Sequence, residues 1–409
     1  MPLDFLQDSR IIIDVIVNKA FKFRIYPNQE QEQELAKQFG SARFVYNHFL
    51  RQRIDFYAQH KSEKKQGLNF FDTSKMLTEL KKQPEFEWLQ ESNAQSLQSA
   101  LRHLDVAYNN FFNKRGEFPK FKSKRSKQAF TVPQSFVLDV ERKRLRIPKI
   151  GEIKIVPHRP VEGTIKSVTI SKTSSGRYFA SLLCEVELHP PKPASQSEIG
   201  IDLGLKSFIV TSGGERIESP KFFRKSESKL ARLQRRLSRK QKGSNRRTKV
   251  RLKVARLHEK IANQRADFLH KTSRRLVDEN QAIYAERLSV KNMVQNHCLA
   301  KAISDSGWGE ELRQLEYKST WYGSHFGQID RFFPSSKRHA DCGWINENLT
   351  LADREWTCQG CGEIVDRDLN AAQNILIFGK GRMAGTAKTK RAGRHRVRNR
   401  VAEPRSCPL

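Results

Sequence analysis

The sequence predicts a multidomain α+β protein, and two observations carry this prediction. Runs that alternate apolar and polar residues lie on either side of a long segment with helical spacing, so a helical block interrupts a first β unit. A second series of apolar runs begins near Glu198 and alternates with further helical segments, which indicates a second domain. The 409 residues leave room for both, since a domain takes about 150 residues.

The first β unit opens at Asn18 with an alternating run that ends in a Pro-Asn turn. Residues 28–114 then carry apolar side chains at helical spacing, and residues 129–188 return to strands around a Ser-Ser-Gly turn. The segments assigned here are an N-terminal extension at 1–17, the β unit at 18–27 and 115–190, and the helical block at 28–114.

The second domain follows a Pro-rich linker at 190–195. The stretches "EIGIDLGL", "QAIYAERL" and "GQIDRFF" predict three strands, and apolar spacing from Lys229 to Val277 predicts two helices between the first two strands. "LNAAQNILIF" predicts a last helix, and the basic segment beyond Gly379 is predicted to be disordered without a partner. The segments assigned here are the domain itself at 191–333 and 363–378, a cysteine-containing segment at 334–362 and the tail at 379–409.

The chain is strongly basic. It has 76 Lys and Arg residues against 44 Asp and Glu residues, a net charge of +32. Such an excess opposes compaction unless a polyanion neutralises it, so nucleic acid is the expected partner. A membrane surface is the rival partner, but no apolar run approaches the roughly 20 residues that span a bilayer, and the N-terminus is not a signal peptide. We expect a monomer in the prokaryotic cytoplasm, associated with the nucleoid.

Two basic segments are candidates for nucleic-acid contacts. The stretch "GEFPKFKSKRSKQAF" interleaves Phe with Lys and Arg, so rings could stack on bases while cations meet phosphates. The helix that begins near Lys229 carries Arg and Lys with few acids nearby. The alternatives are a solvated loop with anchoring phenylalanines and a solvated helix face. The candidate residues are Phe118, Lys120, Phe121, Lys122, Lys124, Arg125, Arg235, Arg236, Arg239 and Lys240.

Three of the six cysteines lie close together in the sequence. Cys358 and Cys361 have the Cys-x-x-Cys spacing of a tight metal knuckle, and His339 with Cys342 repeats that spacing upstream. Four such ligands suit structural zinc, and this usage indicates a reduced compartment rather than a disulfide framework. The alternatives are a reactive Cys-x-x-Cys pair and a three-cysteine site completed by water.

Three acidic residues lie within or beside apolar sequence: Asp202 in "GIDLG", Glu286 in "IYAERL" and Asp368 in "DRDLNAA". An uncompensated buried carboxylate is costly, so each acid meets cations or lies at a solvent-facing strand end. Two strand ends and a helix start can converge, and three carboxylates suit two Mg²⁺ ions about 3.5–4 Å apart. Taken singly, such an acid is more often a cap or an ion-pair partner. Asp366 is a second choice beside Asp368, which directly precedes the apolar helix.

Ordered motifs between residues 18 and 378 carry a family resemblance. They are "FRIYPN", "GSARFVYNHFL", "AYNNFF", "FPKFK", "GIDLGLKSF", "AERLSVKNM", "AISDSGWGEELRQLEYKSTWYG", "FPSS", "TCQGCG" and "DRDLNAAQNI". The chain resembles the TnpB family of transposon-encoded, RNA-guided DNA endonucleases, which are related to the type V CRISPR effectors. A set this long and this ordered excludes chance.

The resemblance implies a wedge β-barrel interrupted by a helical recognition lobe, followed by a RuvC nuclease domain of the RNase H type that carries a zinc ribbon. By motif, Asp202, Glu286 and Asp368 take the catalytic roles, which favours Asp368 over Asp366. The family's guide RNA pairs with the target strand, while the protein reads a short flanking motif and cuts both strands with Mg²⁺. His339 departs from the family's usual cysteine, and residues 1–17 precede the family's usual start.

Three functional hypotheses follow from the sequence. The leading one is an RNA-guided, Mg²⁺-dependent DNA endonuclease. A guided DNA-binding repressor would be expected to have lost one of the carboxylates, and this sequence keeps all three. A basic RNA-binding accessory of transposition would bind RNA with a steep salt dependence but would ignore the guide sequence.

Overall fold

The computed structural model describes residues 15–60, 67–125, 127–188, 197–350 and 352–389. The chain divides into two compact units, Met1–His189 with Ser228–Lys260 and Pro190–Glu227 with Ile261–Leu409. Most of the predicted N-terminal extension, the linker at 190–195 and residues 390–409 of the tail lie outside the described residues. Within the described ranges, a search for a helix long and apolar enough to span a bilayer found none.

Helices follow the first strand of the first unit. They are α1 Gln29–Gln59, α2 Phe70–Leu80, a 3₁₀ helix Pro84–Glu91 and α3 Ala94–Phe112. An asparagine caps the first turn of each α-helix; the Asn28 side chain, for example, accepts a hydrogen bond from the backbone N–H of Gln31 at 2.8 Å. The helical spacing of residues 28–114 is confirmed.

The strands of the first unit form one antiparallel sheet. They are β1 Val15–Tyr26, β2 Gln128–Val132, β3 Val137–Asp139, β4 Arg144–Ile147, β5 Gly151–Val156, β6 Thr164–Lys172 and β7 Tyr178–Leu188. Their order is β2-β6-β7-β1-β5-β4-β3. Among the described residues the outer strands β2 and β3 do not pair, so the expected wedge β-barrel is an open, curled half-barrel.

The first strand begins earlier than the sequence predicts. Val15 pairs with Leu188 of β7, so the strand includes residues that the prediction gave to the N-terminal extension. Phe21, Phe23 and Ile25 of β1 are buried on one face. This alternation is what the sequence pattern predicted, because successive strand residues point to opposite faces of the sheet.

The second unit contains a mixed five-stranded sheet. Its strands are β8 Glu198–Asp202, β9 Ser207–Thr211, β10 Arg216–Glu218, β11 Ala282–Glu286 and β12 His325–Ile329. Their order is β10-β9-β8-β11-β12, with β8, β11 and β12 parallel and the other pairs antiparallel. The third predicted strand, "GQIDRFF", ends early at Ile329. The carboxyl ends of the three parallel strands therefore share one edge.

The remaining helices are α4 Phe222–Ser238, α5 Asn245–Glu279, α6 Val290–Met293, α7 Ala300–Ser306, α8 Trp308–Tyr322 and α9 Arg367–Thr389. The segment Ser228–Lys260 groups with the first unit, whereas the prediction placed it in the second domain. Within the first unit, the Glu259 carboxylate accepts a hydrogen bond from the Ser175 hydroxyl at 2.8 Å and pairs with Arg177 at 3.2 Å. These contacts fasten the segment to the turn between β6 and β7.

The last helix also departs from the prediction, which expected disorder from Gly379. Helix α9 continues to Thr389 instead. A Cβ atom at Gly379 would overlap the ring of Tyr284 in β11. The glycine therefore allows the helix to approach the sheet closely and does not end it.

One carboxylate is buried in the core of the second unit. Glu311, in the first turn of α8, has no exposed surface, and neither side-chain oxygen has a hydrogen-bond partner among the described residues. Burial raises the pKa of Glu311 to about 8. Burial also lowers the pKa of Lys318, on the same helix, to about 8. The Lys318 ammonium donates to the carbonyl oxygen of His270 and to the Ser273 hydroxyl, both at 2.7 Å.

We expect Glu311→Gln to raise the melting temperature at pH 8 by about 5 °C and to change it little at pH 5. The pKa of Glu311 is higher in the folded than in the unfolded protein, so the folded state binds the extra proton. That contribution to stability is present below the unfolded pKa and is lost as pH rises to about 8. Thermal melts from pH 5 to 8 test this, with exposed Glu316→Gln on the same helix as control. Parallel profiles for wild type and Glu311→Gln would contradict it.

Candidate active site and metal centre

Two neighbouring parallel strands end in carboxylates at one edge of the second sheet. Asp202 is the last residue of β8, and Glu286 is the last residue of β11. Ile201 and Ala285 are paired in register, and Asp202 and Glu286 are the residues that directly follow them on the two adjacent strands. Asp368 is the second residue of α9, which packs against β8.

The three acids interact electrostatically. Burial, and then the negative charge of Asp368, raises the pKa of Asp202 to about 6. Burial, and then the negative charge of Asp202, raises the pKa of Glu286 to about 7. Like charges act this way at short range, so the structure brings the three predicted residues together with Asp202 in the middle. Such a group of hard oxygen donors suits divalent cations.

Three arginines surround Asp368, and the sequence analysis did not single out any of them. Arg367 donates to Oδ1 of Asp368 at 3.2 Å. A guanidinium nitrogen of Arg354 lies 3.7 Å from Oδ2, and one of Arg216 lies 3.9 Å from it. Arg354 directly precedes a strand of the cysteine-containing segment, and Arg216 begins β10. Two distant parts of the chain thus place positive charge at this edge.

Asp366 has a different environment from Asp368. One of its oxygens accepts a hydrogen bond from the backbone N–H of Leu369 at 2.9 Å, as a helix cap does. Its other oxygen accepts from Arg216 at 2.6 Å. Asp366 is therefore engaged at the start of α9, whereas the charge of Asp368 acts on Asp202.

The two predicted metal knuckles have the same backbone hydrogen-bond pattern. His339 N–H donates to the carbonyl of Trp344, and Gly343 N–H donates to the carbonyl of His339. In the second knuckle Cys358 N–H donates to Glu363, and Gly362 N–H donates to Cys358. Gly343 and Gly362 both have positive φ, at 78° and 83°. His339 thus occupies the position in its knuckle that Cys358 occupies in the other.

The four predicted ligands converge. The Nδ1 atom of His339 lies 3.2 Å from Sγ of Cys342 and 3.4 Å from Sγ of Cys361. Sγ of Cys342 lies 3.4 Å from Sγ of Cys358, and all four ligand atoms lie within 4.8 Å of one another. A tetrahedron with metal–sulfur bonds of about 2.3 Å has edges of roughly 3.8 Å. The cluster therefore has the size and donor set of a tetrahedral metal site.

The surroundings of the cluster orient its ligands. The Nε2 atom of His339 faces two carboxylates, Glu363 at 3.5 Å and Asp341 at 3.8 Å, which leaves Nδ1 directed at the thiols. Desolvation raises the pKa of Cys358, but hydrogen bonds from the backbone N–H groups of Cys361 and Gly360 and from the thiols of Cys342 and Cys361 together outweigh it and lower the pKa to about 7. A low thiol pKa favours the thiolate that binds metal.

The cysteine-containing segment forms a small ribbon that is attached to α9. Its strands are β13 Glu355–Thr357 and β14 Ile364–Asp366, so the ribbon runs past its predicted end at residue 362. The buried side chains of Asn370 and Asn374 donate to the carbonyl of Arg338 at 2.7 and 2.6 Å. Asn370 also accepts from the backbone N–H of Ala340 at 2.8 Å. The helix that carries Asp368 therefore holds the first knuckle directly.

The candidate nucleic-acid residues of the first unit lie mostly at its surface. Phe118 and Phe121 are exposed, and the guanidinium of Arg51 lies 5.3 Å from the ring of Phe121. Lys122 is half-buried, with its ammonium 3.7 Å from the ring of Tyr46. The other candidates are Lys120, which pairs with Glu117 at 2.6 Å, exposed Lys124 and Arg125, exposed Arg235 and Arg236 on α4, and Arg239 and half-buried Lys240 just beyond α4.

Comparison with known proteins identifies relatives that match most of the chain. Three family models match: "Probable transposase" over residues 181–297, "Helix-turn-helix domain" over 17–62 and "Cas12f1-like, TNB domain" over 308–375. A Streptomyces pristinaespiralis protein named "Putative RNA-guided DNA endonuclease" is 44% identical over 89% of this chain and 90% of its own length. An Escherichia coli K12 protein named "Putative RNA-guided DNA endonuclease InsQ" is 37% identical over 90% of this chain and 93% of its own length.

A solved structure shares the fold. The Cas12f1 chain of a cryo-EM structure of the Cas12f1-sgRNA-target DNA complex superimposes with a TM-score of 0.53 at 14% identity, over 88% of this chain and 98% of that one. The structural match shows the fold, and the close relatives show the family. The chain belongs to the TnpB family, as its sequence motifs predicted.

Proposed function

We propose that this protein is an RNA-guided, Mg²⁺-dependent endonuclease that cuts double-stranded DNA next to a short flanking motif. The observation that carries the proposal is that Asp202 and Glu286 end neighbouring parallel strands, while Asp368 begins the helix that packs against them. The strand order is β10-β9-β8-β11-β12, in which β8, β11 and β12 are parallel and β9 is antiparallel to its two neighbours. This is the order of an RNase H-like domain. It supports a RuvC-type nuclease in the second unit.

The three carboxylates would hold two Mg²⁺ ions, and the bound metal would supply an activated water and charge stabilisation for the leaving 3′ oxygen of a phosphodiester. Asp202 is the electrostatic neighbour of both other acids, so its carboxylate would hold the cations together with Glu286 and Asp368. Since burial raises the pKa of Asp202 to about 6 and that of Glu286 to about 7, protons would compete with Mg²⁺ for these carboxylates as pH falls through that range. Asp368 is the second residue of α9, and β14 of the ribbon ends two residues before it.

The arginines around Asp368 fit the same proposal. In the cation-free arrangement Arg216, Arg354 and Arg367 offset the charge of Asp368. With Mg²⁺ at that carboxylate, Arg354 would be available to bind a DNA phosphate, whereas Arg216 keeps its hydrogen bond to Asp366 and Arg367 its hydrogen bond to the carbonyl of Asp353. The Arg354 side chain is half exposed and is the best placed of the three to do so.

The first unit would bind the guide RNA and the target. The relatives at 44% and 37% identity are named for RNA guidance, and the basic and aromatic residues of the first unit suit phosphates and bases. In this proposal base pairing with the guide selects the target, and the protein reads a short flanking motif. The protein acts as a monomer.

The ribbon would hold one structural Zn²⁺ through His339, Cys342, Cys358 and Cys361. The equal hydrogen-bond patterns of the two knuckles support the histidine as the fourth ligand. The ion would be bound by Nδ1 of His339, because Nε2 faces Glu363 and Asp341. Its role is to fix the ribbon from which Arg354 approaches Asp368.

We expect Glu363→Gln to lower zinc affinity by about tenfold, since it removes a partner of the ligating histidine. His339→Ala should lower it further, whereas His339→Cys should restore tight binding of one zinc per chain. Competition with a chromophoric chelator measures the affinity, and metal analysis measures the stoichiometry. Glu347→Gln, an exposed ribbon position, is the control. Full zinc affinity in His339→Ala would exclude this histidine as a ligand.

Purification from cells that carry the native locus tests the proposed function. The expected result is one discrete RNA that ends in a replaceable guide segment, and cleavage of a plasmid matching that guide when Mg²⁺ is added. Replacing the guide should move the cut to the new target. A mixture of unrelated cellular RNA, or cleavage that ignores the guide, would overturn the proposal.

A further inference from the structure

The segment that leaves β12 lies at the same sheet edge as the carboxylates. Ile329, the last residue of β12, is in register with Glu286 on the parallel strand β11. The Asp330 carboxylate accepts a hydrogen bond from the backbone N–H of Phe332 at 2.9 Å, and the Asp330 carbonyl accepts from Phe333 at 3.2 Å. These bonds fix a turn immediately beyond the strand.

The turn sends its two phenylalanines in opposite directions. Phe333 packs inward, with the centroid of its ring 3.8 Å from the centroid of the Phe378 ring. Phe332 is 77% exposed, more than any other large hydrophobic side chain that the structure describes. The guanidinium of Arg331 lies 4.4 Å from the Phe332 ring. A single exposed aromatic is unremarkable on a protein surface, but this one is paired with a cation and lies beside a proposed catalytic centre.

The loop is also anchored on its far side. Ser335 is buried, and its carbonyl accepts a hydrogen bond from Asn374 at 2.9 Å. The Asp330 turn and this contact lie on either side of Phe332, so the exposed ring is presented from a braced segment. Arg287, which follows Glu286 directly, is exposed at the same edge. Arg331 and Arg287 thus place two positive charges near the ring, beside the carboxylates of Asp330 and Glu286, and they suit a phosphate of a polyanion rather than a second copy of this basic chain.

We propose that Phe332 is a stacking platform for a nucleobase of the DNA strand that enters the carboxylate site, with Arg331 binding a phosphate beside it. The inference rests on the proposed function. A ring face accepts only an unstacked base, so the ligand is single-stranded DNA rather than a duplex. Stacking of one base would hold the neighbouring phosphodiester at a fixed distance from Asp202, Glu286 and Asp368. Phe332 is a positioning residue in this scheme and takes no part in the chemistry.

The test is a cycle that combines a protein change with a DNA change. Single-turnover cleavage is measured for wild type and Phe332→Ala with target DNA that carries one abasic nucleotide, moved position by position around the cut. At one position we expect the abasic change to slow wild type by about tenfold, and Phe332→Ala to slow cleavage of intact DNA by about tenfold. When the two changes are combined at that position, the cleavage rate should fall by about tenfold rather than about a hundredfold.

Further variants separate stacking from loss of structure. Phe332→Trp should keep wild-type rates, Phe332→Leu should behave like Phe332→Ala, and the melting temperature should stay unchanged in all three. Leu299→Ala is the control, because Leu299 is an exposed apolar side chain of the second unit that belongs to none of the proposed sites. Wild-type rates in Phe332→Ala, or multiplicative effects at every abasic position, would overturn the inference.

The same cycle is measured on binding of a single-stranded oligonucleotide in Ca²⁺, without turnover. If wild type fails to cleave in Mg²⁺ while the binding cycle shows the coupling, the proposed function is overturned and the platform stands. If wild type cleaves but neither cycle shows coupling, the platform is overturned and the proposed function stands. Binding of Phe332→Ala equal to wild type at every abasic position also counts against the platform.

Discussion

Replacing Glu286 with glutamine is expected to abolish DNA cleavage by the RNA-loaded protein. The change keeps the size of the side chain but removes an ionisable oxygen ligand. The rate should fall by roughly 10³-fold or more, because a metal centre supplies several kcal/mol of transition-state stabilisation. Guide RNA binding should be unchanged, since Glu286 belongs to the second unit and the proposed RNA surface to the first.

The same variant should be more stable than wild type without metal at pH 8. The raised Glu286 pKa means that the folded state holds its proton up to about pH 7, so the stability it contributes is lost as pH rises to that value. Cleavage assays, RNA retention and melts at pH 5 and 8 measure the three effects. Glu279→Gln, exposed at the end of α5, is the control. Comparable cleavage by Glu286→Gln would refute the assignment of this acid.

Gly200→Ala is expected to reduce stability and cleavage, although it removes no functional group. An added Cβ would overlap the carbonyl oxygen of Ala372 and lie 2.6 Å from the backbone nitrogen of Leu376. These are helix backbone atoms that cannot rotate away, so α9 must move off β8 and take Asp368 with it. We expect a loss of about 2–3 kcal/mol in unfolding free energy. A shift of about 1 Å at Asp368 would slow cleavage by about 10²-fold.

Gly213→Ala is the matched control for this prediction. It lies in the same unit, and the nearest atom to its added Cβ is Oγ1 of Thr211 at 3.8 Å. Thermal melts and single-turnover cleavage of both variants give the comparison. If Gly200→Ala matched Gly213→Ala in both measurements, the close packing of α9 on β8 would be disproved.

The acids of the candidate site can be singled out from local sequence, because each of them interrupts an apolar run. Asp202 and Glu286 end runs that are buried in neighbouring strands, and Asp368 stands at the start of an apolar helix. The knuckles are equally local, since their spacing alone puts the ligands on tight turns. Patterns of this kind are set by a few consecutive residues, so they can be identified without a fold.

The arginines around Asp368 could not be identified in this way. Arg216 is far from Asp368 in the sequence, and nothing local distinguishes it among 76 basic residues. Only the pairing of β10 with β9 and the return of the ribbon to α9 bring Arg216 and Arg354 to one carboxylate. A signal existed for Arg354 alone, because it lies just before the second knuckle.

The errors at segment boundaries have a similar origin. Glycine often follows the end of a helix, so Gly379 predicted an end there. Its structural role is to let α9 approach Tyr284 closely, and Tyr284 is distant in the sequence. The segment Ser228–Lys260 has no local sign of where it packs, and its contact through Glu259 depends on a turn near residue 175. Tertiary contacts decide such positions, and local patterns do not record them.

The asparagine pair that ties α9 to the first knuckle makes the two proposed metal sites thermodynamically dependent on each other. If zinc binding aligns α9 and so strengthens Mg²⁺ binding, Mg²⁺ binding must strengthen zinc binding by the same factor, because linkage between two binding equilibria is reciprocal. Occupation of the carboxylates in the presence of DNA would therefore tighten zinc, and zinc depletion would weaken Mg²⁺ at a centre it never touches. Through Asn370 and Asn374, the zinc supply of the cell would set how much of this protein is competent to cut.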